Sequence, residues 1–152
     1  MLNKTLIFCI YLAFAGFSAA HATEAASDYS YWVGKYPSDK LATNRAGLLD
    51  QPKLKSTLKN LLPKQELQAL LKYSVETPAK QLGNYLVASK CQPHNCAAET
   101  ATVIIDLCSQ KIWVGFFTRE SNRVATRWYG SEDDYSALPE EIKKDFLIRH
   151  GD

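Results

Sequence analysis

The run Cys91-Gln92-Pro93-His94-Asn95-Cys96 holds the side chains of this sequence best suited to chemistry: two thiols, an imidazole and a proline beside it. Two cysteines separated by four residues can form a disulfide if a tight turn between antiparallel strands brings them together. Such a bridge needs Cα atoms about 4.4–6.8 Å apart. Left reduced, Cys91, His94 and Cys96 spell C-x-x-H-x-C, three soft ligands for zinc or copper, with Cys108 or His150 as a fourth. Redox chemistry of the C-x-x-C type is poorly served, because four intervening residues is the wrong spacing.

The compartment bears on the choice. Residues Met1 to Ala22 have the three parts of a secretory signal: Lys4 near the start, an apolar run from Leu6 to Ala15, and the small-residue site Ala20-His21-Ala22. The run is shorter than the roughly 20 apolar residues a membrane span requires. Cys9 lies inside it and leaves with it, and no other segment is apolar enough to cross a membrane. The expectation is export to the periplasm, with residues 1–22 removed and one domain over residues 23–152. In an oxidising compartment a disulfide is favoured over two free thiolates, so no metal and no cofactor are expected. A bridge this short restricts the unfolded chain by only about 2 kcal/mol. Its better use is to present His94, with Pro93 fixing one φ angle beside it. Cys108 is then left over, as a buried inert thiol by preference or an intermolecular link.

Other chemistries are weaker. Nucleophilic catalysis needs a nucleophile, a base and an orienting group. After export only His94 and His150 remain as bases; one sits between the two cysteines and the other is two residues from the end. Glu132-Asp133-Asp134 and Glu140-Glu141 read as loop and first-turn acids. An enzyme is not expected. The formal net charge of +2 falls to +1 once Lys4 is removed, which argues against a nucleic-acid partner. Lys53, Lys55, Lys59, Lys64 and Lys72 are spaced like a solvated helix face.

The elements that must position the loop follow from periodicity. Tyr29, Tyr31 and Trp32 form an aromatic lead-in that packs on the domain, and Tyr36-Pro37-Ser38-Asp39 reads as a turn. A helix starts near Asp50 as N-cap, with Pro52 in its first turn and Leu54, Leu58, Leu61 and Leu62 inward. Pro63 ends it. A second helix runs from Lys64 to Tyr73 on Leu67, Leu70 and Leu71. Four strands follow, near 85–89, 100–107, 112–117 and 124–129, with the second central and Gly115 marking a bulge or a close approach. A last helix from Pro139 turns Ile142, Phe146 and Leu147 inward. The fold class is α+β: an antiparallel meander flanked by helices, with the cysteine loop at a hairpin tip. Aromatic-rich strands and Cys108 leave a homodimer open, and Trp113, Trp128 or Tyr129 are the surface candidates for a different protein partner.

At the loop the chain resembles the Ivy family of periplasmic lysozyme inhibitors, whose signature C-K-P-H-D-C is matched by Cys91-Gln92-Pro93-His94-Asn95-Cys96. The resemblance extends to Tyr36-Pro37-Ser38-Asp39-Lys40 and to Gly83-Asn84-Tyr85-Leu86-Val87. It implies a disulfide between Cys91 and Cys96, a c-type lysozyme as partner, and a loop inserted into the lysozyme cleft so that His94 reaches the two catalytic carboxylates. Gln92 replaces the family lysine and Asn95 the family aspartate, so both charges flanking the histidine are gone. Each missing charge-assisted contact is worth about 1–3 kcal/mol if it faces the cleft rim. Inhibition of another muramidase or a lytic transglycosylase is the corresponding alternative.

Overall fold

The structure, a computed structural model, describes residues 28–40, 46–121, 123–130 and 138–150. The expected export segment (residues 1–22), the run Glu132-Asp133-Asp134 and the side chains of Leu147 and His150 lie outside the described residues. Six strands form the centre: β1 (Val75–Glu76), β2 (Lys80–Leu82), β3 (Tyr85–Cys91), β4 (Glu99–Asp106), β5 (Ile112–Glu120) and β6 (Arg123–Gly130). All pairings are antiparallel, in the order β1-β3-β4-β5-β6, with β2 also on β3. The β-branched strand 100–107 is the central one, as its composition implies. The two short strands on the outer edge of β3 are additional to the expected four. At two and three residues they carry no periodicity to read.

Helices cover both faces. Helix α1 (Pro52–Leu61) and helix α2 (Lys64–Lys72) lie with the 3₁₀ turns Tyr29–Trp32 and Leu48–Asp50 on one side. Leu54, Leu58 and Leu70 pack there against Leu86, Val103, Ile105, Val114 and Phe116. Helix α3 (Glu140–His150) covers the other face, where Ile142 joins Val87, Ile104 and Trp113. Phe146 is buried on the same helix and meets the Trp128 ring edge-on at 4.8 Å. Full burial of each such aliphatic side chain contributes about 1.5–3 kcal/mol.

Several expectations need correction. The N-cap of α1 is Gln51, not Asp50, which closes the preceding 3₁₀ turn and pairs with Lys55 at 2.8 Å. Leu71 and Tyr31 are both 52 % exposed, so neither belongs to the core. Trp113 is buried and unavailable as a surface contact. Gly115 keeps regular register with Thr102 and Trp128; a Cβ on it would lie 2.5 Å from the Trp128 ring. It marks a close approach rather than a bulge.

Cys108 is exposed and free rather than buried. The cause is the β4–β5 turn. Asp106 Oδ1 accepts from the Cys108 and Ser109 N–H groups at 2.8 and 3.2 Å, and Oδ2 from the Ser109 hydroxyl at 2.7 Å. This holds Cys108 in a tight turn beyond the strand. Partial burial pushes the Asp106 carboxyl upward, but the Ser109 and Cys108 bonds, with Lys111, outweigh it and leave its pKa below the ordinary value. A depressed carboxylate adds stability above its unfolded pKa, near 3.9, and loses that addition as pH falls through the folded value. Asp106→Ala is therefore expected to cost about 1 kcal/mol at neutral pH, with the gap to wild type narrowing below about pH 4. Thermal melts from pH 7 to pH 2 check this; parallel curves would contradict it.

Candidate functional site

The loop of interest joins β3 to β4 at one end of the sheet. The two strands pair in unbroken register from Tyr85 with Asp106 to Cys91 with Thr100. Cys91 and Cys96 are bridged, with Cα atoms 4.9 Å apart. The bridge takes both sulfurs out of the proposed ligand set and leaves His94 alone among the three.

Within the bridge the chain makes two successive turns. The Asn95 N–H donates to the Gln92 carbonyl at 3.0 Å, with Pro93 at the second position and His94 at the third. His94 has φ +63°. Proline followed by a left-handed residue is the pattern of a type II turn, whose third position normally takes glycine or asparagine. For a side chain with a Cβ this conformation costs about 1–2 kcal/mol. The Asn95 carbonyl then accepts from Ala98 and Glu99 N–H at 2.9 and 2.8 Å, and the Thr100 hydroxyl donates to the Cys96 carbonyl at 3.0 Å. Behind the loop, the Arg119 N–H of β5 donates to the Ala98 carbonyl at 2.8 Å. Gln92, Pro93, His94 and Cys96 are exposed, and Asn95 and Cys91 are half-buried. His94 therefore stands outward on a turn closed by a bridge and a backbone ladder.

The base of the loop is tied to α2 by a contact that the sequence does not reveal. Tyr73, just past α2 and 7 % exposed, donates its hydroxyl to Glu99 Oε2 at 2.8 Å. Glu99 is also the residue that closes the loop, accepting from the Gln92 N–H at 3.1 Å. At its other end α2 is held by Glu66, which meets Arg127 Nε of β6 at 2.5 Å, while Arg127 also donates to Thr118 at 3.0 Å. Glu66 raises the Arg127 pKa more than partial burial lowers it. The helix thus lies across the loop end of the sheet. An open groove of about 450 Å³ separates the two, lined by Ala69, Lys72, Tyr73, Gln92 and Pro93. Tyr73 and Glu99 are separated by 26 residues, and no local pattern could have joined them.

His94 is thus an exposed imidazole on a bridged hairpin tip of an α+β scaffold, and the described residues hold no group of three His, Cys, Asp or Glu side chains that could bind a metal ion. A family model described as "Inhibitor of vertebrate lysozyme (Ivy)" matches residues 53–148, from α1 through most of α3, and the chain belongs to this family. It is accordingly a lysozyme inhibitor by family, and inhibitors of this kind are not enzymes. No curated protein matches the chain.

Burial, then the Glu99 bond and its charge, hold the Tyr73 phenol protonated well above its ordinary range. A raised phenol pKa contributes stability that is complete below the unfolded value near 10 and declines as pH rises beyond it. Tyr73→Phe should cost about 1 kcal/mol at neutral pH and give a shallower alkaline decline than wild type. Denaturant midpoints between pH 7 and pH 11 test this; an identical alkaline slope would reject the assignment.

Proposed function

We propose that this protein is exported to the periplasm after loss of residues 1–22, that residues 23–152 form one inhibitor domain, and that it inhibits c-type lysozyme by inserting the Cys91–Cys96 loop into the active-site cleft. The observation that carries the reading is His94 itself. A residue held at φ +63°, exposed, at the tip of a bridged turn occupies a position where glycine would be easier. Local strain kept at an exposed site points to a role for the side chain.

The chemistry is occlusion, with no covalent step. A lysozyme cleft holds one carboxyl of raised pKa and one ionised carboxylate. Neutral imidazole donates from one nitrogen and accepts at the other, so it can bridge such a pair; the imidazolium would donate to both. The bridge, Pro93 and the ladder at the loop base order the backbone before binding and lower the entropic cost of insertion. Gln92 and Asn95 bring no charge to the cleft rim, which favours a weaker inhibitor or a different muramidase over a stronger contact.

The test separates side chain from scaffold. Relative to wild type, His94→Ala and His94→Gly should each weaken inhibition of a c-type lysozyme about 10- to 100-fold, the worth of one lost charge-assisted hydrogen bond. His94→Gly should also be more stable than His94→Ala by about 0.5–1 kcal/mol, because glycine adopts positive φ without strain. Lysis assays and chemical denaturation of the three proteins read both effects. Wild-type potency in His94→Ala would remove the mechanism. Failure of the folded, oxidised wild type to inhibit would remove the target.

A further inference from the structure

The sheet face under α3 carries a feature that the inhibitory loop does not use. Among the described residues, the buried polar side chains are Ser89, Thr100 and Thr102. Ser89 pairs with Thr102, and Thr100 with Cys91, so all lie on the α3 face, continuing the row begun by Val87 and Ile104. Lys80, opposite Val87 on β2, lies on the same face and pairs with Asp145 of α3. Arg149, one turn beyond Phe146, extends over this polar row. One of its terminal nitrogens donates to the Ser89 hydroxyl and reaches Thr102 Oγ1 at 3.5 Å; the other meets Asp145 Oδ2 at 2.8 Å. Arg149 Nε is buried and has no hydrogen-bond partner among the described residues.

A pocket of about 220 Å³ opens beside the guanidinium. Its walls include Val75, Thr77, Thr100, Arg149 and the back of the Cys91–Cys96 bridge. The volume is below the roughly 300 Å³ at which pockets for drug-sized ligands begin. Among the described residues, Arg149 and Lys80 both pair with Asp145, two cations on one carboxylate. Burial draws the Arg149 pKa downward against the pull of Asp145, the sign of a cation short of solvent. Arginine nonetheless stays protonated, and its planar fork matches a carboxylate. The Val75 side chain, the threonine methyls and the disulfide offer apolar contact to whatever carries that carboxylate.

We propose that this pocket binds small carboxylates carrying a short apolar body, with Arg149 as the recognition group and Ser89 and Thr102 as the hydroxyls that hold the guanidinium in place. The inference is independent of the inhibitory reading, although the two sites share the disulfide as a wall. Because Thr100 anchors the Cys96 carbonyl, an occupant would touch the rear of the loop that presents His94.

Benzoate is a suitable probe, with benzamide as its uncharged counterpart of the same shape. Titrated into the full oxidised protein and followed by amide NMR, benzoate should give saturable shifts at Ser89, Cys91 and Thr100. A millimolar Kd is the expected scale, and benzamide should give no saturating response. Arg149→Gln should weaken benzoate at least tenfold. Arg149→Lys, which keeps the charge and loses the fork, should fall between them. The absence of saturable benzoate shifts in wild type would overturn the proposal, as would equal binding of benzamide; both comparisons hold even if a variant fails to fold. Inorganic phosphate binding as tightly as benzoate would overturn the apolar-body requirement.

Discussion

The pairing of β3 with β4 is the constraint on which the other features rest. Its register runs without interruption from Tyr85 with Asp106 to Cys91 with Thr100. Side chains alternate faces along a strand, so a slip of one residue would turn Leu86, Ala88, Val103 and Ile105 away from the α1–α2 core. The same slip would move Cys91 off the face where it meets Cys96. Core burial, worth several kcal/mol across these positions, therefore holds the hairpin in the only register that permits the bridge. The disulfide adds about 2 kcal/mol by the loop-entropy account and is the smaller contribution. The bridge is a consequence of the sheet rather than its cause.

From that register the presentation of His94 follows. The connecting residues Gln92, Pro93 and His94 at the end of that hairpin are exposed. Pro93 sets the first bend, the Asn95 to Gln92 bond closes it, and the third position falls on His94 with positive φ. Two supports then keep the loop from swinging. Tyr73 grips the returning arm through Glu99, and Arg119 of β5 grips it through the Ala98 carbonyl. Helix α2 is itself pinned to β6 by Glu66 and Arg127. Support of this kind places an exposed side chain on a rigid mount, as a competitive occupant of another protein's cleft requires.

Much of this was readable in the residues, and the failures have local causes. The four long strands, the three α-helices and the position of the loop follow from alternation, leucine spacing and Pro63. Edge strands β1 and β2 escaped because two or three residues show no period. Leu71 fits the helical stripe but falls on its margin, beyond the reach of the sheet. Cys108 resembles a buried thiol by type, yet the Asp106 turn carries it outward. Trp113 looks like a surface aromatic only until its strand is known to have helices on both sides. The Tyr73–Glu99 and Arg149–Ser89 contacts each join residues far apart in the chain, and composition gives no hint of them. The bridge and the loop's place between two strands are local and could be read; the support of the loop is tertiary and could not.

The central claim is that the His94 loop fills the active-site cleft of its target. The most direct measurement is equilibrium binding of the oxidised protein to a c-type lysozyme in the presence of increasing concentrations of a cleft-filling N-acetylglucosamine oligosaccharide. Mutual exclusion is predicted: the apparent Kd for lysozyme should rise in proportion to oligosaccharide concentration once the cleft is saturated. A ternary complex with unchanged affinity would place the contact elsewhere on lysozyme and contradict the account.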